Sequence, residues 1–249
     1  MNKTVLITGA TAGIGLSIAQ SFAKQGDRLI LTGRRTERLQ ELANSLPTAV
    51  FPLTFDIRKL EEVKQAIQSL PDSWKEVDIL INNAGLASGK EAIQNGLIED
   101  WDKMIDTNVK GLLYLSKEII PGMVQKGRGH IINIGSIAGK QVYPGGGVYC
   151  ATKFAVDALS QAMRIDLLPH GIKVTNVAPG AVETEFSMVR FKGDKAKADS
   201  VYQGYTPLRA EDIADIVMYV ANQPIHVNIN EIVVTATAQA NSHYLYKKS

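Results

Sequence analysis

Short apolar runs rich in β-branched residues alternate along this chain with longer stretches of helical periodicity, from residue 4 to about 238. Such alternation predicts repeated β-α units, in which each helix returns the chain and successive strands lie parallel. Runs such as Val5-Leu6-Ile7 and Ile79-Leu80-Ile81 are apolar on consecutive residues, as expected for strands that helices cover on both faces. With right-handed crossovers, the sequence predicts an α/β protein with a doubly wound, seven-stranded parallel sheet of the Rossmann type and helices on both faces.

The predicted elements follow one another without a linker, and 249 residues suit one domain spanning 1–249. We predict strands near 4–9, 28–33, 49–55, 77–82, 129–135, 173–178 and 231–236. We predict helices near 14–25, 36–46, 58–70, 100–126, 149–168 and 210–222. Two segments that follow strands, 136–148 and 179–209, lack this rhythm, and open α/β sheets bind ligands beyond the carboxyl ends of their strands. We therefore expect ligand contacts in both segments, with 179–209 as a substrate loop.

Charge and cysteine content exclude several classes of protein. The formal net charge is only +2, so the chain has no basic field to gather nucleic acid. The single cysteine, Cys150, cannot form an intramolecular disulfide, and the four histidines show no paired metal-ligand spacing. No run approaches the roughly 20 apolar residues that a membrane span needs. We expect a soluble cytoplasmic protein without a metal, a membrane contact or a nucleic-acid partner.

A glycine-rich turn follows the first predicted strand and precedes the first predicted helix, in the sequence Thr8-Gly9-Ala10-Thr11-Ala12-Gly13-Ile14-Gly15. Glycines permit a tight turn and let a pyrophosphate approach backbone N–H groups at a helix N-terminus, where the helix dipole favours negative charge. The alternative is that the glycines only punctuate a turn. The strand before and the helix after favour a dinucleotide site.

The end of the second strand distinguishes the two nicotinamide dinucleotides. An acid there would hold a ribose 2′-hydroxyl, but the chain has Arg34 and Arg35, whose guanidinium groups match a 2′-phosphate. The sequence therefore predicts NADP(H), unless these arginines are only solvated residues at the start of a helix. Asp56 ends the third strand and is placed either to contact the adenine amine or to cap helix 58–70.

Tyr149 and Lys153 lie one turn apart on a predicted helix and share a face. A tyrosine with its usual pKa near ~10 is a poor base at neutral pH, and a nearby ammonium group should lower that pKa. Ser136 ends the fifth strand, where its hydroxyl can hydrogen-bond a reacting oxygen. These residues predict acid/base chemistry with Tyr149 as the proton donor or acceptor.

Together with Thr8 to Gly15, Asn82-Asn83-Ala84-Gly85 and Asn108, the Tyr149-x-x-x-Lys153 motif resembles the short-chain dehydrogenase/reductase family along the whole chain. The resemblance implies that Asn108, Ser136, Tyr149 and Lys153 are catalytic, with Asn108 completing a water-linked proton path. It implies that the cofactor contacts are Gly9, Thr11, Gly13, Ile14, Gly15, Arg34, Arg35, Asp56, Ile57, Asn82, Ala84, Gly85, Tyr149, Lys153, Pro179, Gly180, Val182 and Thr184. It also implies a homotetramer.

Within that family the chain is most similar to the NADP-dependent 3-hydroxy acid dehydrogenases, which oxidise serine, allo-threonine and related acids or reduce semialdehydes. The similar stretches include Gly33-Arg34-Arg35, Ile105-Asp106-Thr107-Asn108, Arg190-Phe191-Lys192-Gly193-Asp194 and His226-Val227-Asn228-Ile229-Asn230. The resemblance implies a small 3-hydroxy acid as the substrate. The alternatives are a 3-oxoacyl-carrier-protein or other carbonyl reductase and a non-catalytic NADP-binding sensor.

A carboxylate-bearing substrate needs a cation near the nicotinamide, and Arg190 in the substrate loop is our candidate, alongside Ser136 and Tyr149 as substrate contacts. The alternatives are that Arg190 is a surface charge or that it pairs with Glu185 or Asp194. Cys150, beside Tyr149, is expected to be a small packing residue.

Overall fold

The computed structural model describes residues 2–248. Within them, the strands are β1 (Thr4–Thr8), β2 (Arg28–Gly33), β3 (Val50–Thr54), β4 (Ile79–Asn82), β5 (Gly129–Ile134), β6 (Ile172–Pro179), β7 (Val182–Glu183), β8 (Leu208–Arg209) and β9 (Glu231–Val234). Seven of these form one sheet in the order β3-β2-β1-β4-β5-β6-β9. Every neighbouring pair in that sheet is parallel, so the predicted fold class is confirmed.

The strand order reverses between β1 and β4, which pair directly, with Val5 opposite Ile79. Connections from β1 run outward to β2 and β3 on one side, whereas those from β4 run outward on the other. The loops after β1 and β4 therefore diverge and leave a crevice at the carboxyl ends of these strands. This crevice is where the sequence has its glycine turn and the segment Asn82 to Gly85.

Helices cover the sheet on both faces. Their bounds are α1 (Gly13–Gln25), α2 (Thr36–Ser45), α3 (Leu60–Gln68), α4 (Asp72–Lys75), α5 (Ile98–Ile105), α6 (Leu112–Lys126), α7 (Gly147–Asp166), α8 (Phe186–Arg190), α9 (Lys195–Ser200) and α10 (Ala210–Ala221). Val5 and Ile7 of β1 lie in one apolar core with α1, α2 and α10, and Leu6 lies in a second core with α3, α6 and α7. Consecutive apolar residues in a strand thus serve opposite faces.

The predicted helix over 100–126 is interrupted. α5 ends at Ile105, a turn of wider π-helix spans Asp106–Gly111, and α6 follows. The side chain of Asn108, in the π-helical turn, receives a hydrogen bond from the Leu86 backbone N–H and donates one to the Leu86 carbonyl, each at 2.8 Å. Periodicity read from sequence does not detect one extra residue in a helical turn, and such turns are frequent at functional sites.

The segment 179–209 contains more regular structure than its sequence indicated. It holds the short parallel pair β7–β8 and the helices α8 and α9. These elements are too short to show a clear hydrophobic period, which explains why the pattern predicted an irregular loop.

No helix among residues 2–248 is long and apolar enough to span a membrane.

Candidate active site

The glycine turn between β1 and α1 has backbone conformations that only glycine adopts easily. Gly9 has φ +64° and Gly13 has φ +53°, in the left-handed region where a Cβ is strained. A Cβ at Gly15 would lie 2.5 Å from Asn83 Nδ2, and that amide donates to the Thr8 carbonyl at 2.8 Å. The turn is therefore shaped by its glycines and packed directly against the chain that follows β4.

A cleft of about 370 Å³ runs from this turn to Tyr149. Most of the predicted cofactor contacts line it, namely Gly9, Thr11, Gly13, Ile14, Arg34, Arg35, Asp56, Ile57, Ala84, Gly85, Tyr149, Lys153, Pro179, Gly180, Val182 and Thr184. Ser136 also lines it. The topology thus brings residues from seven separate segments to one crevice.

Gly15 and Asn82, two predicted cofactor residues, do not line the cleft. Gly15 lies behind the turn, where its lack of a side chain permits the packing described above. Asn82 is buried within the sheet, where its Nδ2 donates to Ser116 Oγ at 3.1 Å and to Asn133 Oδ1 at 2.9 Å. The neighbouring Asn83, which the sequence analysis did not select, is the asparagine that lines the cleft.

Arginines stand at the adenosine end of the cleft. Arg35 Nη2 donates to Thr11 Oγ1 at 2.7 Å, and Arg34 lines the same wall. The Glu185 carboxylate, from the opposite wall, lies 3.7 Å from Arg35 and 3.6 Å from Arg38. Arg35 thus contacts both the glycine turn and the substrate loop, whereas Arg34 only lines the cleft.

Asp56 does not cap α3, because that helix begins at Leu60 with Lys59 as its N-cap. Its carboxylate instead accepts a hydrogen bond from the Arg58 backbone and pairs with the Arg58 guanidinium at 2.5 Å. This side-chain hydrogen bond outweighs the effect of burial and holds the pKa of Asp56 below its usual range. The predicted capping role is wrong, and Asp56 is an ionised group on the cleft wall.

Tyr149 and Lys153 lie in the first turns of α7, both buried, with the Lys153 Nζ 6.0 Å from the centre of the Tyr149 ring. The Lys153 Nζ donates to the Ile134 carbonyl at 2.8 Å. Ser136 Oγ accepts from the Ala138 N–H at 3.1 Å and donates to the Pro179 carbonyl at 3.3 Å. The hydroxyl, phenol and amine therefore converge where β5 ends and α7 begins.

Burial governs the proton affinities of this group. It raises the pKa of Tyr149 above its ordinary value, although the nearby Ser136 hydroxyl acts in the opposite direction. It lowers the pKa of Lys153 to about 8, because the ammonium form loses its hydration. The expected lowering of the Tyr149 pKa is thus wrong for the protein alone: Lys153 lies at some distance from the ring, and removal from water dominates.

Asn108 lies behind this group and contacts it through α7. Its Nδ2 donates to Thr152 Oγ1 at 3.0 Å, and Thr152 directly precedes Lys153. Asn108 is only 2% exposed. The π-helical turn therefore joins the chain after β4 to the helix that carries Tyr149.

Arg190, at the end of α8, lies over the reacting group rather than on the surface. Its guanidinium carbon is 5.9 Å from the centre of the Tyr149 ring and 5.4 Å from that of Tyr143. Nε donates to the Gly89 carbonyl at 3.2 Å and Nη1 donates to the Tyr143 hydroxyl at 2.9 Å. Nη2 is buried and has no hydrogen-bond partner among residues 2–248.

Both proposed partners of Arg190 are engaged elsewhere. Glu185 faces Arg35 and Arg38, and Asp194 caps α9 and pairs with Lys197 at 3.1 Å. The predictions that Arg190 pairs with either acid, or lies free on the surface, are therefore wrong. Arg190 itself does not line the cleft, whose wall is formed there by its neighbour Val189. Because buried polar nitrogens rarely stay unpaired, its Nη2 is available as a donor to an anion bound beside Tyr149.

Sequence reasoning missed Tyr143, the partner of Arg190. It lies in the loop 136–148, which was marked as a ligand segment, but no motif singles it out. Cys150 is 1% exposed and packs with Leu86 and Met104, and burial raises the pKa of its thiol, as befits a packing residue. Among residues 2–248, no group of three or more histidine, cysteine or acidic side chains could hold a metal ion.

Comparison with known proteins agrees with this geometry. The sequence matches the short chain dehydrogenase family over residues 3–195. It is 48% identical to an NADP-dependent 3-hydroxy acid dehydrogenase of Salmonella typhi over 95% of this chain and 96% of the relative. It is 45% identical to sulfoacetaldehyde reductase 2 of Chromohalobacter salexigens over 98% of each chain.

Among solved structures, the closed form of a serine dehydrogenase complexed with NADP+ superposes with a TM-score of 0.93 at 45% identity. The match covers 99% of this chain and 100% of that one. Sequence, fold and the arrangement of Ser136, Tyr149 and Lys153 therefore lead to one classification. The chain belongs to the short-chain dehydrogenase family.

Proposed function

We propose that this enzyme transfers a hydride between NADP(H) and the carbinol or carbonyl carbon of a small 3-hydroxy acid or its semialdehyde. The observation that carries the proposal is the position of Arg190, whose guanidinium carbon lies 5.9 Å from the centre of the Tyr149 ring. Its buried Nη2 has no hydrogen-bond partner among residues 2–248. A guanidinium group there would hold the carboxylate of a substrate while its hydroxyl carbon reacts. The relative from Salmonella typhi, named for such an activity, supports the same substrate class.

The cleft fits NADP(H) on the grounds of shape and charge. Gly9 and Gly13 leave a cradle that side chains would fill, since a Cβ at Gly13 would lie 3.3 Å from Thr184. The N–H groups at the start of α1 would meet the pyrophosphate, and Arg34 and Arg35 would meet the 2′-phosphate. The nicotinamide would lie toward Tyr149, Lys153 and Pro179. When bound, the cofactor supplies or accepts the hydride.

Tyr149 would accept the hydroxyl proton during oxidation and return it during reduction. Its raised pKa favours the neutral phenol, which suits proton donation to a carbonyl oxygen. For oxidation the phenolate must form, and cationic charge at Lys153 would stabilise it. Ser136 would donate a hydrogen bond to the reacting oxygen. Asn108 would order the proton path behind Lys153, because its Oδ1 has acceptor capacity beyond the Leu86 N–H.

A sulfonate-bearing aldehyde is a second candidate substrate. Arg190 and the residues that hold it, Gly89 and Tyr143, form what we call the Arg190 seat. The seat offers a hydrogen-bond donor to an anion, but it does not have a shape that selects a planar carboxylate over a sulfonate. The relative from Chromohalobacter salexigens is named as a sulfoacetaldehyde reductase. A direct comparison of both anions is therefore part of the test.

We further propose a homotetramer in the cytoplasm. Apolar side chains are exposed on helices α6 and α7 and on the edge strand β9, among them Leu113, Phe154, Ile165 and Val233, which is 50% exposed. Packing of these elements against other copies would cover them. Light scattering coupled to gel filtration tests the assembly, and a monomer at working concentration would contradict it.

Formation of NADPH with L-serine, L-allo-threonine, 3-hydroxypropanoate and 3-hydroxybutyrate tests the activity, with NAD+ as the control cofactor. Reduction of malonic semialdehyde and sulfoacetaldehyde with NADPH tests the reverse direction. We expect turnover with NADP(H), and the relative kcat/KM values of carboxylates and sulfonate show which anion the site prefers. Activity confined to carrier-bound 3-oxoacyl groups would instead favour the carrier-protein reductase. Binding of NADPH without turnover of any of these compounds would favour a sensor.

A further inference from the structure

Asp100 is a buried carboxylate near the cleft that the proposed reaction does not use. It lies in the first turn of α5, and its side chain is only 10% exposed. Ser88 Oγ donates to Oδ1 at 2.7 Å, and Lys192 Nζ lies 2.7 Å from Oδ2. Burial acts to raise the pKa of Asp100, but the Lys192 ammonium group and the Ser88 hydroxyl outweigh it, so that the pKa is lowered. Asp100 is therefore ionised at neutral pH.

Both partners of Asp100 adjoin the seat of Arg190. Ser88 precedes Gly89, whose carbonyl accepts from Arg190 Nε at 3.2 Å and whose N–H donates to the Arg190 carbonyl at 2.9 Å. Lys192 follows Arg190 by two residues in the chain. The Asp100 carboxylate thus contacts both the loop that bonds to Arg190, through Ser88, and the chain just after α8, through Lys192.

Lys192 ends α8 in a left-handed conformation, with its N–H donating to the Val189 carbonyl at 3.2 Å and the Gly193 N–H donating to the Met188 carbonyl at 2.9 Å. With φ +52°, Lys192 is the single non-glycine residue of the described range 2–248 in the left-handed region. Glycine or asparagine would adopt this conformation at lower cost. A lysine at this cap position directs its ammonium group to a mostly buried carboxylate on a different element, 2.7 Å away.

We propose that Asp100 and Lys192 are positioning residues that give the enzyme its selectivity for anionic substrates, by fixing the Arg190 guanidinium over Tyr149. The proposal rests on the proposed function, in which Arg190 binds the substrate's anion. A guanidinium group increases kcat/KM for an anionic substrate only if its free N–H bonds point at the anion's oxygens while the carbinol carbon is in its reactive position. If the Arg190 side chain becomes more mobile, kcat/KM therefore falls for anionic substrates and stays unchanged for neutral ones.

The test compares 3-hydroxypropanoate with its methyl ester, which keeps the reacting hydroxyl and lacks the charge. In Lys192→Met and Asp100→Asn we expect the preference in kcat/KM for the acid over the ester to fall about tenfold or more. The KM for NADP+ should stay unchanged. Lys192→Arg should retain the preference. Lys195→Met is the matched control, because Lys195 belongs to the same loop but pairs only within α9.

Malonate inhibition gives a second measurement, which is needed if the ester is not turned over. Malonate carries the anion without a hydroxyl to oxidise, so its KI should rise about tenfold in Lys192→Met. Unchanged NADPH binding and an unchanged melting temperature would verify that the variants fold. Lys192 is half exposed, so this variant is informative even if Asp100→Asn does not fold.

The outcomes separate this inference from the proposed function. If Arg190→Gln abolishes the preference for the acid but Lys192→Met and Asp100→Asn retain it, the positioning role is wrong and the proposed function stands. If Arg190→Gln itself retains the preference, the substrate assignment fails. A uniform loss for acid and ester in Lys192→Met would show a general structural role and would also overturn the inference.

Discussion

The glycine turn at one end of the cleft is local in sequence, whereas the seat of Arg190 at the other end joins segments far apart in the chain. Gly9, Gly13 and Gly15 lie within seven residues, and their function follows from a backbone that has no side chains. Arg190, by contrast, contacts Gly89 and Tyr143, at separations of 101 and 47 residues. The cofactor half of the cleft, at the glycine turn, can thus be predicted from a sequence motif. The substrate half, around Arg190, is formed by tertiary contacts that no local motif encodes.

The largest expected effect lies where the two halves meet. Replacing Tyr149 by Phe removes the hydroxyl that exchanges a proton and preserves the ring, which packs edge-on against Phe186. We expect kcat to fall by about 1,000-fold or more, since general acid/base catalysis contributes that order of rate. Titration with NADPH should give an unchanged Kd. A residual kcat within tenfold of the wild-type value would reject Tyr149 as the acid/base.

The contrast between the halves explains what the sequence could predict. Strands β1, β2 and β4 follow from consecutive apolar residues, because both of their faces are covered and each strand needs only its own run of residues. The positions of Tyr149 and Lys153 on one face follow from helical spacing alone. These features depend on short-range sequence, which periodicity captures well.

The missed features depend on tertiary contacts. The π-helical turn at Asn108 forms where one side chain bonds to the backbone of Leu86, a residue of another segment. Tyr143 gains its importance only from Arg190, and Asp100 only from Ser88 and Lys192. No local pattern encodes such partners. A long segment without periodicity, such as 179–209, is nevertheless a useful sign that contacts of this kind will occur.

A substitution at Arg190 tests the substrate half without touching the cofactor half. For Arg190→Gln we expect kcat/KM with 3-hydroxy acids to fall roughly 100-fold, because a charge-assisted hydrogen bond to the substrate is lost. The KM for NADP+ should be unchanged. Lys195→Met, which removes an equal charge from the same loop, is the control. A rise in the KM for NADP+ that matches the loss in substrate affinity would contradict the separation of the two halves.

The reciprocal substitution is Arg35→Ser. Loss of a guanidinium group that faces the 2′-phosphate should raise the KM for NADP+ by roughly 30-fold. The KM for NAD+, which has no such phosphate, should change by less than about twofold. Steady-state kinetics with both cofactors at saturating hydroxy acid measures this. An equal rise for both cofactors would mean that Arg35 shapes the turn through Thr11 rather than recognising the phosphate.

A residue away from the cleft provides a reference for both halves. His130 begins the buried part of β5, with Nε2 2.9 Å from Thr175 Oγ1, and burial together with Lys173 and Lys3 lowers its pKa to about 3. Below its ordinary pKa of 6.5, the unfolded chain binds a proton that the folded chain excludes. His130 therefore lowers the free energy of unfolding by roughly 1.4 kcal/mol per pH unit as pH falls from that value toward 3.

His130→Gln should remove this contribution. Urea unfolding at neutral pH and at about pH 5 should lose less stability between the two pH values in the variant than in the wild type, by roughly 2 kcal/mol. Activity at neutral pH should be unchanged, since His130 lies outside the cleft. An identical pH dependence in both proteins would mean that His130 is protonated in the folded state.

The smallest expected effect concerns Glu185, which joins the halves across the cleft. Its carboxylate is 59% exposed and lies more than 3.5 Å from Arg35 and Arg38, so the interaction is weak and screened by salt. Because the carboxylate competes with a 2′-phosphate for Arg35, Glu185→Gln should lower the KM for NADP+ by about two- to threefold at low ionic strength. The difference should vanish at high salt, and NAD+ should be unaffected. Glu37→Gln removes a charge from α2 itself, where Glu37 has no ion pair with these arginines among residues 2–248, and should have no such effect. A higher KM for NADP+ in Glu185→Gln would mean that the ion pairs hold the cleft closed over the cofactor, so that the two halves would be coupled.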